Sequence, residues 1–91
     1  MFMVLCKDKP GHQQTRLDNR PAHVEFLKGL GAKVTMAGPL LSDDGQAMTG
    51  SLLVLDFAER AELDAALATD PYAQAGLFES VTISRYKKVL P

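Results

Sequence analysis

An α+β fold in the order βαββαβ is predicted by three features: four short apolar or alternating segments, two stretches of helical periodicity between them, and Gly, Pro or Asp at the junctions. FMVLC at 2–6 is continuously apolar and β-prone, and KDKPG closes it as a first strand. From Gln14 to Leu30 the pattern is helical, with Pro21 placed at the first turn of a second helical segment or at a kink. Gly29 and Gly31 end that helix. KVTMA at 33–37 reads as a second strand stopped by Gly38-Pro39, because proline cannot donate to a ladder. SDDGQAMTG reads as a loop, and SLLVLDF at 51–57 as a third strand. Ala58 to Thr69 is an alanine-rich helix with Leu63, Ala66 and Leu67 on one face, ended by Asp70-Pro71. PYAQAG has room for one helical turn, and Leu77 to Lys87 alternates as a last strand.

This order is the split βαβ or ferredoxin-like arrangement. Right-handed crossovers place the first and third strands at the centre of a four-stranded antiparallel sheet, with both helices on one face. In the central strands both alternating sets are apolar: Phe2, Val4 and Cys6 against Met3 and Leu5, and Leu53 and Leu55 against Leu52 and Val54. One set meets the helices. The other needs a cover, and a second copy stacked sheet to sheet, as in a dimeric α/β barrel, is the simplest.

The 91 residues are expected to form one domain. Ten basic residues stand against eleven acidic ones without a run of either sign, which argues against nucleic acid or an anionic membrane as partner. The single cysteine, Cys6, lies in an apolar run and reads as a small core residue of a reduced, cytoplasmic compartment. MFMVLCKD lacks the basic start of a signal peptide and is too short to span a membrane.

His23 breaks the apolar stripe of the first helix. On a wheel of about 100° per residue, Leu30 falls about 20° from it, Leu27 about 40° and Phe26 about 60°. Asp70, seven residues after Leu63, falls within about 20° of that core leucine. In this topology the start of the first helix and the finish of the second share one rim of the sheet, and Arg20, Ser51 and Tyr72 belong to it as well. A carboxylate facing an imidazole holds one ring nitrogen as donor and leaves the other to exchange a proton with a bound molecule. The same pair equally suits a purely structural contact, since one buried unpaired polar group costs about 1 to 3 kcal/mol. His12, in a Gly- and Gln-containing loop, is expected to be solvated. No metal-ligand spacing, phosphate loop or dinucleotide fingerprint is present, so neither metal nor cofactor is expected.

With RPAH at 20–23, AGPL at 37–40, GSLLVLDF at 50–57 and DPYAQAGLFESVTI at 70–83, the chain resembles the YciI-like (YCII-related) family over almost its whole length. The resemblance implies ferredoxin-like α/β-barrel dimers related to the muconolactone-isomerase type. It also implies an active-site pair at His23 and Asp70, with the serine after glycine at Ser51. One characterised member is a dehydrochlorinase acting on a chlorinated hydroxyhydroquinone, while most have no assigned reaction. Three functions follow as expectations: a cofactor-free enzyme eliminating or isomerising a small cyclic or phenolic metabolite, a non-catalytic small-molecule-binding or dimerisation module, and a cofactor-free monooxygenase of the same fold.

Overall fold

A computed structural model describes all 91 residues. The elements are β1 (Phe2–Asp8), α1 (Gln13–Leu30), a 3₁₀ turn (Gly31–Lys33), β2 (Val34–Leu41), β3 (Met48–Leu55), α2 (Arg60–Leu67), α3 (Pro71–Gln74) and β4 (Phe78–Arg85). The sheet runs β2-β3-β1-β4 with every neighbouring pair antiparallel, the ferredoxin-like arrangement that the order of elements implies.

Several boundaries differ from the expectation. Gly38-Pro39 does not end β2, which continues to Leu41 with Pro39 opposite Ser51. This strand is at the sheet edge, where one side has no ladder to join and a missing N–H does little harm. Its partner β3 accordingly starts at Met48, inside the expected loop, and ends at Leu55. Pro21 starts no separate helix: it lies inside one continuous α1 of 18 residues. The carbonyl it leaves without a donor belongs to Leu17, an exposed residue, so water can satisfy it. The helix ends at Gly31, whose positive φ of 58° suits glycine and whose N–H returns to the Lys28 carbonyl. Helix α2 is shorter than expected, Arg60–Leu67, because the chain after Leu55 first runs through a loop that keeps Phe57 in the core.

Registers fix the two faces of the sheet. Phe2, Val4 and Cys6 oppose Leu55, Leu53 and Ser51, and these residues point toward the helices. Phe2, Val4, Cys6, Leu53, Leu55, Phe57 and Leu63 form the core, with Leu27 and Leu30 of α1 packed on it. The other face carries Met3, Leu5, Leu52, Val54 and Met36. Met3, Leu5 and Leu52 are only half-buried and Met36 is 55% exposed. No helix is long and apolar enough to cross a membrane.

Candidate functional site

The two fully buried side chains of α1 are both polar, Arg16 and His23. Each is tied to an acidic residue from another element. His23 Nδ1 lies 2.8 Å from Asp70 Oδ1, in a pair almost wholly removed from solvent. An ionised carboxylate only accepts, so Nδ1 is the donor and Nε2 is the nitrogen left for chemistry. Asp70 is held in turn by its place in the chain. Extended at φ −64° and ψ 122° ahead of Pro71, it is the N-cap of α3, and the same Oδ1 accepts from the Tyr72 N–H at 3.0 Å. The Tyr72 ring then stacks on His23, with centroids 3.8 Å apart and planes 14° from parallel. The Asp-Pro-Tyr segment therefore orients the imidazole by a hydrogen bond and an aromatic wall together.

Two placements inferred from sequence need correction. His23 lies midway along α1 and not near its start, because that helix is continuous from Gln13. Asp70 does not end α2: that helix stops at Leu67, and the carboxylate instead caps the α3 that follows. The two side chains meet because α3 packs across α1.

The second network was not anticipated. Arg16 donates through Nε to Asp8 Oδ2 at 2.6 Å and through Nη2 to Asp8 Oδ1 at 2.9 Å, a bidentate pair. Nη2 also donates to Ser51 Oγ at 2.9 Å. The guanidinium lies over the Tyr72 ring, 4.6 Å from its centroid, which joins the two networks. Burial disfavours the Arg16 charge, but Asp8 outweighs it and holds the pKa above the ordinary arginine value. A signal for both residues was present. Arg16 precedes His23 by seven positions and so lies about 20° from it on the wheel, and Asp8 continues the inward alternation of Phe2, Val4 and Cys6.

Between α1 and the β2/β3 edge lies a cavity of about 260 Å³ bounded by Arg20, His23, Leu27, Pro39, Ser51 and Tyr72. A cavity of roughly 150 Å³ holds benzene, so this one has room for a single substituted ring. Asp70 stands behind His23, outside the lining. Arg20 is exposed at the mouth and forms no ion pair: Asp18 accepts from Gln14, and Glu25 is beside Lys28. The Tyr72 hydroxyl lies beside the Arg16 guanidinium. Burial pushes its pKa up, with the Arg16 and Arg20 charges pulling the other way, so it stays a neutral donor. His12 is elsewhere, bonded through Nδ1 to the Pro10 carbonyl at 2.9 Å. No three His, Cys, Asp or Glu side chains converge as a metal site would require.

Residues 1–87 match the family model of the YCII-related domain. The chain belongs to the YCII-related family. This YCII-related protein is 32% identical to protein YciI of Escherichia coli, with 98% of each chain covered. It is 30% identical to an uncharacterised protein of Haemophilus influenzae, with 97% of each covered. Among solved structures it resembles 5-chloro-2-hydroxyhydroquinone dehydrochlorinase (TftG) of Burkholderia phenoliruptrix, determined in complex with 2,5-dihydroxybenzoquinone. The TM-score is 0.87 at 37% identity, covering 94% of this chain and 92% of the other.

Proposed function

We propose that this protein is a small enzyme acting on a cyclic, oxygenated metabolite, with His23 as general acid/base and Asp70 as the residue that orients it. The observation that carries the reading is the 2.8 Å bond that commits Nδ1 to Asp70 in a histidine that lines a ring-sized cavity, leaving Nε2 free. Elimination such as dehydrochlorination, or isomerisation, suits this arrangement. In the elimination, one ring hydroxyl first ketonises, its proton moving to the chlorine-bearing carbon; Nε2 then accepts the proton of a second hydroxyl, electron density builds on that oxygen and closes to a carbonyl, and the carbon–chlorine bond breaks with its electron pair leaving as chloride. The net loss is HCl, and no oxidant or cofactor enters the balance. Likeness to a dehydrochlorinase with a quinone bound supports the substrate class. A second copy of the chain covering the outer sheet face completes the proposed assembly, and the buried thiol of Cys6 suits a reduced compartment such as the cytoplasm.

The test is chloride release from 5-chloro-2-hydroxyhydroquinone, with 2,5-dihydroxybenzoquinone as binding probe. His23→Asn should lower kcat by about 10² to 10⁴ while probe affinity stays within a few-fold. Full turnover in that variant removes the imidazole from the mechanism. Binding of the probe without turnover by the unmodified protein makes the cavity a binding module instead.

A further inference from the structure

Apart from Nε2 of His23, the side chains around the cavity offer donors and positive charge and no free acceptor. Among its polar lining residues are Arg16, Arg20, His23, Ser51 and Tyr72, and no carboxylate or carboxamide. The two carboxylates nearby are already committed, Asp8 to Arg16 and Asp70 to His23. The Asp8–Arg16 pair is neutral, and Arg20 stands at the mouth as a cation outside any ion pair.

Ser51 holds the decisive position. Its Oγ accepts from the buried Arg16 Nη2 at 2.9 Å, and its own O–H donates to nothing in the chain. A hydroxyl carries one proton and two acceptor lone pairs, so with a cation on the oxygen the remaining function is donation. Accepting from a cation also polarises that O–H and strengthens the bond it gives. The Asp8 clamp fixes the guanidinium in one orientation, and Ser51 is fixed on β3 opposite Cys6 and Pro39, so the direction of the relay is built into the sheet. A buried ion pair maintained only for stability is often matched by apolar residues of similar volume. Its placement against a cavity-lining hydroxyl is what needs explaining.

We propose that Asp8, Arg16 and Ser51 form an oxyanion-holding relay, so that this cavity selects ring ligands bound as phenolate- or enolate-type anions, with Ser51 as the donor and Arg16 as a positioning residue. The relay depends on the proposed function only in taking this cavity as the ligand site. In an elimination it would hold the ring oxygen on which charge builds, across the cavity from the proton taken by His23. Tyr72, neutral and beside the same guanidinium, supplies a second donor to the same oxygen-rich edge.

The experiment compares two probes by calorimetry at neutral pH. One is 2,5-dihydroxybenzoquinone, a vinylogous acid ionised under these conditions; the other is its dimethyl ether, 2,5-dimethoxybenzoquinone, which has no acidic proton. The unmodified protein should bind the anion at least about tenfold more tightly. Ser51→Ala should weaken the anion by about 10- to 100-fold, the range expected for one hydrogen bond to a charged group, and leave the ether within twofold. Arg16→Lys should narrow the anion-to-ether ratio although Ser51 is intact, because an ammonium cannot bridge a carboxylate and a hydroxyl in the same fixed plane. Should that variant fold poorly, Asp8→Asn, which frees the guanidinium while keeping the shape, should narrow the ratio in the same sense. A merely structural role would lower both affinities together. Equal affinity for the two probes, binding of neither, or an unchanged ratio in Ser51→Ala would overturn the relay. Chloride release by His23→Asn reports separately on the acid/base reading, so either can fall without the other.

Discussion

At the scale of single residues, burial decides which polar groups act and which are silent. Cys6 is silent: burial, aided by the negative charge of Asp70 and Asp8 and opposed by Arg16, pushes its thiol pKa up to about 12. Thiolate, not thiol, is the nucleophile, so iodoacetamide at pH 8 should leave the native protein unlabelled and label it only in denaturant. Rapid native labelling would show that the thiol is accessible. The same shift makes stability pH-dependent. The folded thiol keeps its proton to about pH 12, whereas the unfolded one loses it near pH 8.5, so this contribution is complete below about pH 8.5 and declines as pH rises toward 12. The slope per proton is at most about 1.4 kcal/mol per pH unit, and Tyr72, also raised, adds to it above pH 10. Urea unfolding between pH 8 and 10 should show a falling ΔG whose slope flattens in Cys6→Ala; an equal slope in that variant would place the effect elsewhere. His23 and Arg16 show what was legible in the residues. A histidine among leucines announces itself, whereas an arginine at the equivalent wheel position passes for a solvated one, because its partners lie 8 and 35 positions away in sequence.

At the scale of elements, β3 positions the hydroxyl of the relay, and Gly50 positions β3. Gly50 is buried opposite Lys7 of β1 and Leu40 of β2, and a Cβ there would run into the backbone carbonyl oxygen of Cys6. Backbone cannot step aside as a side chain can. Gly50→Ala should therefore cost about 1 to 3 kcal/mol in denaturant unfolding and weaken quinone binding by displacing Ser51, whereas Gly38→Ala, with no chain atom near its added Cβ, should change stability little. Similar losses in both variants would remove close strand approach as the cause. The order of elements and the inward sets of β1 and β3 were legible because period-2 apolar patterns survive burial. The ends were not: Pro39 reads as a terminator unless the strand is known to be an edge, and Pro21 as a break unless the facing carbonyl is known to be solvated. Which strand is at the edge is decided by crossovers, not by local residues.

At the scale of the whole molecule, the cavity opens on the helix face of the sheet and the unpartnered apolar set lies on the opposite face. Four strands about 4.8 Å apart and about 3.3 Å per residue present roughly 500 Å² of sheet, so two copies face to face reach about the 1,000 Å² that separates specific interfaces from casual contacts. The C-terminal residues enlarge that surface: Tyr86, Leu90 and Pro91 border a cavity of about 220 Å³ with Met36 and Val54, and Val89 and Leu90 are 78% and 81% exposed. We expect light scattering to give twice the 9.9 kDa of one chain. Leu52→Lys, with Leu5→Lys beside it, should reduce the mass to one chain, because stacking would bury two lysines of each copy in the middle of a dry interface. Both side chains are half-exposed in the single chain, so the variant should still fold, though at a lower melting temperature. With the cavity on the other face, the monomeric variant should keep its affinity for 2,5-dihydroxybenzoquinone within a few-fold. A single-chain mass for the unmodified protein, or a dimer that survives both lysines, would mean that something other than a second copy stacked on this sheet covers the face.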